Sequence, residues 1–158
     1  MRHPLILILL NIRSLHNVGS IFRTADGMGV GKIYLSGYTP EPFDIFGKLR
    51  KDFAKTALGA EKSVLWEKTK NINTLVKKLK KENIFIASLE QSKNSIPLNR
   101  LPRLPQNKAG LALILGNEVK GIPKSIQSMS DAVLEIPMRG KKESLNVSVA
   151  AGIALYAL

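Results

Sequence analysis

Leu5-Ile6-Leu7-Ile8-Leu9-Leu10 is followed, from Asn17 on, by Val18, Ile21, Phe22, Ala25 and Met28. The first run is apolar at every position, the pattern of a strand covered on both faces in a parallel sheet. The second set follows helical spacing. Asn17 is the expected N-cap, and Gly29 and Gly31 are expected to end the helix before a strand at 33–35. The unit reads strand-helix-strand.

The same alternation continues outward. The spacing predicts a helix over 43–55, a strand over 63–66, a helix over 74–82 and a strand over 84–89. Glu90 to Lys108 holds Pro97, Pro102 and Pro105 and reads as an irregular loop with one short turn. A strand over 111–115, a short helix over 123–129 with Pro123 in its first turn, a strand over 133–136 and a last helix over 145–158 complete the chain. Regular alternation of this kind implies an α/β fold, a mostly parallel sheet with helices on both faces. The 158 residues are expected to form a single domain, 1–158, without an appended domain, and contain no internal repeat or low-complexity tract.

Lys and Arg number 24 against 12 Asp and Glu, a formal net charge of +12. Such a surplus calls for a polyanionic partner. Because the basic residues are spread through the chain and form no polybasic amphipathic helix, nucleic acid is favoured over a membrane surface. With no cysteine, and only His3 and His16 as imidazole ligands, neither disulfides nor a metal site is expected. Leu5 to Leu10 is too short to span a bilayer and has no small-residue cleavage site after it, which leads to the expectation of a cytoplasmic protein without a membrane partner.

Three segments concentrate polar groups where they could meet a ligand. Arg23 falls beside the apolar stripe of the first helix, free to reach a partner, although a solvated arginine there would need no role. Leu115-Gly116-Asn117-Glu118-Val119-Lys120-Gly121-Ile122-Pro123 leaves a buried strand, at the end where open α/β sheets bind ligands, and Gly116 and Gly121 would allow close backbone approach. Ile136-Pro137-Met138 through Ser144-Leu145-Asn146 leads from a strand through a polar loop into a helix start, where donors converge. The helix beyond is almost wholly apolar and must be buried in a core or against a partner. Gly27-Met28-Gly29-Val30-Gly31-Lys32 follows a helix and has Lys32 where a dinucleotide fingerprint needs glycine, so nucleotide-loop chemistry is discarded. His16 and Asp26 lack any nucleophile elbow. Lys77, Lys78, Lys80 and Lys81 surround Leu75, Val76 and Leu79 and read as a solvated face.

These segments together resemble the SpoU or TrmH-like branch of the SPOUT superfamily, S-adenosylmethionine-dependent RNA ribose 2′-O-methyltransferases. Asn17-Val18-Gly19-Ser20-Ile21-Phe22-Arg23-Thr24-Ala25 is similar to the first family motif and Leu113-Ile114-Leu115-Gly116-Asn117-Glu118 to the second. Ile136-Pro137-Met138 with Ser144-Leu145-Asn146-Val147-Ser148-Val149-Ala150 is similar to the third. The resemblance covers essentially the whole chain. It implies a C-terminal trefoil knot, a homodimer, and a methyl donor held around Leu89, Gly116, Ile136, Met138, Ser144 and Leu145. It also implies catalytic roles for Arg23, Asn17, Glu118, Ser144 and Asn146, with Arg23 of one subunit facing the donor site of the other. Because a guanidinium is not deprotonated in proteins, Arg23 would stabilise the developing alkoxide. Asn17 would orient Arg23 or the ribose, Glu118 would brace the second-motif loop, and Ser144 and Asn146 would hold the geometry.

Val119 stands where many family members have glycine. The substrate implied is RNA, since DNA lacks the 2′-hydroxyl, with transfer RNA preferred to ribosomal RNA on account of size. Lys48, Arg50, Lys51, Lys55, Arg139, Lys141 and Lys142 are the candidates for contacting it. The competing readings are a non-catalytic RNA-binding module that kept the fold, and a nucleotide-binding α/β enzyme of another class, which the glycine spacing does not supply.

Overall fold

The computed structural model describes residues 4–100, 105 and 107–158; His3 and Pro102 lie outside them. In chain order the elements are β1 (Leu5–Leu10), α1 (Leu15–Met28), β2 (Lys32–Ser36), α2 (Lys51–Ala57), β3 (Leu65–Thr69), α3 (Ile72–Lys81) and β4 (Ile84–Leu89). They continue with β5 (Ile96–Pro97), β6 (Gly110–Leu115), α4 (Lys124–Met129), β7 (Ala132–Glu135) and α5 (Val147–Ala157). The strands form one seven-stranded sheet in the order β3-β2-β1-β6-β4-β7-β5. Every pairing is parallel.

The continuous apolar runs are explained by burial on both faces. Along β1, Leu7 and Leu9 face a core shared with Val18, Ile21 and Phe22 of α1, Phe53 of α2, and Ala151, Ala154 and Leu155 of α5. Ile8 and Leu10 point the other way, into a second core with Leu75, Val76 and Leu79 of α3 and Ile126 of α4. The strand period of two therefore sorts one sequence run into two cores. Because all seven strands run the same way, the loops after β1, β2, β4, β6 and β7 leave from one edge.

Several boundaries differ from the sequence reading for identifiable reasons. α1 starts at Leu15 because Ser14, not Asn17, is its N-cap, accepting from the Asn17 amide at 3.2 Å. That leaves the Asn17 side chain free. The apolar stripe of α1 ends at Ala25, since Met28 is exposed, and Gly29 closes the helix in the left-handed conformation at φ 72°. Phe43 to Lys48 is not helical: Phe43 bridges Leu49 in an antiparallel turn, and the helix begins at Lys51. The strand expected over 63–66 lies at 65–69, because a 3-10 turn over Ala60–Lys62 takes up the preceding residues. The helix expected over 74–82 begins at Ile72, because Asn71 caps it by accepting from the Thr74 amide. In the loop after β4, Ile96–Pro97 adds an edge strand to β7, and Leu98–Arg100 makes a 3-10 turn. Pro123 caps α4 from outside, and α5 begins at Val147 because Asn146 is its N-cap.

The closest helix contact explains Gly19 of the first motif. A Cβ there would lie 2.2 Å from Thr56 Oγ1 and 2.7 Å from the Phe53 carbonyl oxygen. Its absence lets α1 meet α2, where Phe22 and Phe53 pack edge to face at 5.1 Å. Gly19→Ala is expected to lower stability by about 1–3 kcal/mol through overpacking, read as a lower denaturant midpoint at unchanged m.

Candidate active site

The turn after β6 is built around its own amides. Asn117, only 7% exposed, accepts from the backbone amides of Val119 at 2.9 Å and Lys120 at 2.7 Å through Oδ1. Its Nδ2 donates to the Asn11 carbonyl and to Tyr38 Oη, both at 2.9 Å. One side chain thus fixes three loops. Val119 sits there without a left-handed φ and is 82% exposed, so this turn does not need glycine at that position.

The two glycines of the turn, both on the cavity wall, are also required by the turn itself. A Cβ on Gly116 would lie within 2.5–2.8 Å of Ile122 Cγ1, Gly121 C and the Ile122 nitrogen, so glycine lets the turn close on itself. Gly121 has φ 66°, and a Cβ there would strike Glu90 Oε2 at 2.2 Å. The Glu90 carboxylate lies against that glycine and accepts from the Ile122 amide at 2.9 Å, joining the exits of β4 and β6.

Glu118 ties this turn to the start of α1. Its carboxylate accepts from the Arg13 and Ser14 amides at 3.1 and 3.2 Å and from Asn17 Nδ2 at 3.3 Å. Asn17 Oδ1 in turn accepts from Asn146 Nδ2 at 3.2 Å. Asn146 caps α5 by accepting from the Ser148 amide and hydroxyl at 2.9 and 2.6 Å. The three sequence motifs are therefore joined by one chain of hydrogen bonds, Glu118 to Asn17 to Asn146. Partial burial pushes the Glu118 carboxyl up, but the donors from Arg13, its own backbone, Ser14 and Asn17 outweigh it and hold the group below its ordinary value.

Between these turns and the segment after β7 lies a cavity of about 510 Å³. Leu89, Gly116, Ile136, Met138, Ser144 and Leu145, all marked as donor-binding candidates, line it, and so does Glu118. Its acidic lining residues are Glu90, Glu118, Glu135 and Glu143, against Lys120 and Lys124 as its bases. An acid-rich pocket in a chain of net charge +12 favours a cationic occupant. Leu115, Ile122, Ile136 and Leu145 supply apolar walls. Asn17 and Asn146 stand behind the wall through the hydrogen-bond chain. Arg23 does not line the cavity; it is exposed on α1 and makes no hydrogen bond or ion pair among the described residues.

Glu90, Tyr38 and Ser14 lie outside the sequence candidates, and Asn117 stands among them only as part of the second motif, with no role of its own. For Glu90 the one signal is its position directly after a strand, at the edge where open α/β sheets bind ligands. Tyr38 and Ser14 carry no motif of their own.

Glu118→Gln should weaken the tie between the motifs and alter the acid limb of stability. The folded-state value of this carboxyl lies below its ordinary 4.5, so its contribution is complete above 4.5 and is lost as pH falls through the lower folded value. The stability gap between wild type and Glu118→Gln is therefore expected to be largest near neutral pH and to close on acidification, as followed by denaturant titration across that range. Gly121→Ala, strained in backbone and clashing with Glu90, is expected to cost about 1–3 kcal/mol in the same measurement.

The model of the SpoU rRNA Methylase family matches residues 4–156. The chain is 33% identical over 155 residues to the 23S rRNA (guanosine-2′-O-)-methyltransferase RlmB of Escherichia coli (strain K12), covering 97% of this chain and 58% of that protein. It thus spans a little over half the length of the curated relatives it matches. Among solved structures, a TrmH/SpoU tRNA modifying enzyme of A. aeolicus superposes with a TM-score of 0.81 at 30% identity, covering 99% of this chain and 74% of that one. An AdoMet-bound rRNA methyltransferase from Sinorhizobium meliloti shares the fold, with a TM-score of 0.86 at 23% identity over 99% of this chain and 56% of that one. With the three motifs drawn together around one cavity and the family model matched almost from end to end, the chain belongs to the SpoU rRNA methylase family.

Proposed function

We propose that the protein is an S-adenosylmethionine-dependent RNA methyltransferase acting on a ribose 2′-hydroxyl. The observation that carries this reading is the acid-lined cavity at the meeting point of the three motifs. The methyl donor carries a sulfonium and an ammonium group, which suit a pocket lined by Glu90, Glu118, Glu135 and Glu143. Its adenine suits the apolar walls of Leu89, Leu115, Ile136 and Leu145, with Gly116, Met138 and Ser144 completing the surround. AdoMet occupies the structure of the Sinorhizobium meliloti relative.

Bound there, the donor supplies an electrophilic methyl carbon on sulfur. The ribose oxygen forms the new O–C bond as the C–S bond breaks, and the hydroxyl proton passes to an acceptor such as an RNA phosphate. The work left to this chain is alignment, which can contribute several kcal/mol, and stabilisation of charge developing on the oxygen. Arg23 suits the second task because a guanidinium is a permanent cation in proteins, and it makes no hydrogen bond or ion pair among the described residues. Asn17 and Asn146, hydrogen-bonded to each other, hold α1 and α5 in fixed register beside the cavity.

Arg23 lies outside its own cavity wall, which fits a site completed by a second copy. Val149, Ile153 and Tyr156 of α5 are 50%, 43% and 85% exposed, and their spacing places them on one helix face. We assign that face to a homodimer in which Arg23 of one subunit meets the donor site of the other. We also assign the passage from β7 back to α1 to a trefoil knot. In that passage, Glu143, Ser144 and Leu145 line the cavity with the turn after β6, and α5 then packs on α1. One SPOUT domain over 1–158 accommodates all of these features.

The test is transfer of labelled methyl from S-adenosylmethionine to separate pools of unmodified transfer RNA and ribosomal RNA. Wild type is expected to label one pool. Arg23→Ala is expected to lose roughly 100-fold or more in turnover while binding the donor as wild type does, because it removes charge stabilisation and no cavity wall. RNA binding without donor binding or transfer would instead identify a non-catalytic module.

A further inference from the structure

We propose that the loop between β2 and α2 is a base-stacking finger, in which Ile45 and Phe46 receive an unpaired nucleobase of the RNA while Lys48, Arg50 and Lys51 hold the adjoining phosphates. This rests on the reading of the chain as an RNA methyltransferase and adds the element that grips the RNA.

Ile45 and Phe46 are 91% and 87% exposed, the two most exposed large apolar side chains among the described residues. They do not sit on a slack loop. The Asp44 carboxylate accepts from the Phe46 and Lys48 amides, both at 2.9 Å, and the Asp44 amide donates to the Lys48 carbonyl at 2.9 Å. Gly47 turns the chain at φ 76°, its amide donating to the Asp44 carbonyl at 3.0 Å. Below the tip, Phe43 bridges Leu49 and stacks on Trp66 at 6.3 Å and 26°. The Arg50 amide closes the stem on the Pro42 carbonyl at 2.9 Å. A tightly hydrogen-bonded turn thus displays two apolar side chains to water, an arrangement that gains nothing in the isolated chain.

Charge selects the occupant. Lys48, Arg50 and Lys51 follow the tip within five residues and have no ion-pair partner among the described residues, whereas Lys55 lies 3.6 Å from Asp52. An aromatic side chain beside a cluster of free cations is the arrangement that binds single-stranded nucleic acid, the ring stacking on a base and the cations neutralising phosphates. The loop leaves the same sheet edge as the cavity. Its base is tied to the cavity's turn by Asn117 Nδ2 donating to Tyr38 Oη, and Lys68 Nζ donates to the Gly37 carbonyl at 2.8 Å. RNA gripped at the tip is therefore held on the side where the ribose would react.

The test measures affinity for a fluorescein-labelled, mixed-sequence single-stranded RNA across a salt series. Phe46→Ala is expected to weaken binding roughly 5- to 100-fold without changing the salt slope, and Phe46→Trp to retain it. Lys48→Gln with Lys51→Gln should flatten the salt slope. Unchanged affinity in both Phe46→Ala and Ile45→Ala would overturn the proposal. So would a fall in oligomeric mass in either variant, which would make the tip a contact between copies. A donor titration run in parallel separates the two readings. If Phe46 governs RNA binding but S-adenosylmethionine is not bound, the enzymatic reading fails alone; if the donor binds and both Phe46→Ala and Ile45→Ala leave RNA affinity unchanged, the finger fails alone.

Discussion

A single carboxylate, Glu118, joins the turn after β6 to the N-terminus of α1, and through Asn17 to the cap of α5. Each of these hydrogen bonds joins residues more than 100 positions apart in the chain. The tie is made where water still has access, so it stabilises by satisfying the amides at the start of α1 with an ionised acceptor. Glu118 is the side-chain link between that turn and α1, and it lies outside the apolar burial that forms the two cores. That separation between what holds the sheet together and what sets the site recurs through the molecule.

The sheet is held by apolar burial on two faces, with strands whose successive side chains enter different cores. The site is held by polar groups at one edge: Asn117 within its turn, Glu90 against Gly121, and Glu118 across to α1. Charge is distributed to match. A chain with a net charge of +12 gathers carboxylates around the cavity and leaves cations on the outer loops. One field suits a cationic small molecule and the other a polyanion, and the same edge of the sheet presents both.

The fold class was legible because Leu5 to Leu10 and Leu111 to Leu115 are apolar without interruption, a pattern that burial on both faces of a parallel sheet requires. Part of the cavity's lining was legible through the family resemblance: the six residues it implied as donor-binding all line one cavity. Less legible was whatever depends on side-chain competition. Asn17 and Ser14 are both good caps, and only the packed structure shows Ser14 capping α1 while Asn17 turns to Glu118 and Asn146. The segment over 43–48 has acceptable helical composition, yet the Asp44 carboxylate captures two amides that a helix would have used, and the chain turns instead. Glu90 carries no motif, and its contact with Gly121 arises only when β4 and β6 become neighbours.

The cavity between the exits of β4 and β6 and the segment after β7 is proposed as the donor site. The decisive measurement is calorimetric titration of the intact protein with S-adenosylmethionine. Saturable binding at one site per chain is expected, weakened when Leu145 or Met138 is replaced by a charged residue. An absence of binding, or binding indifferent to both replacements, would contradict it.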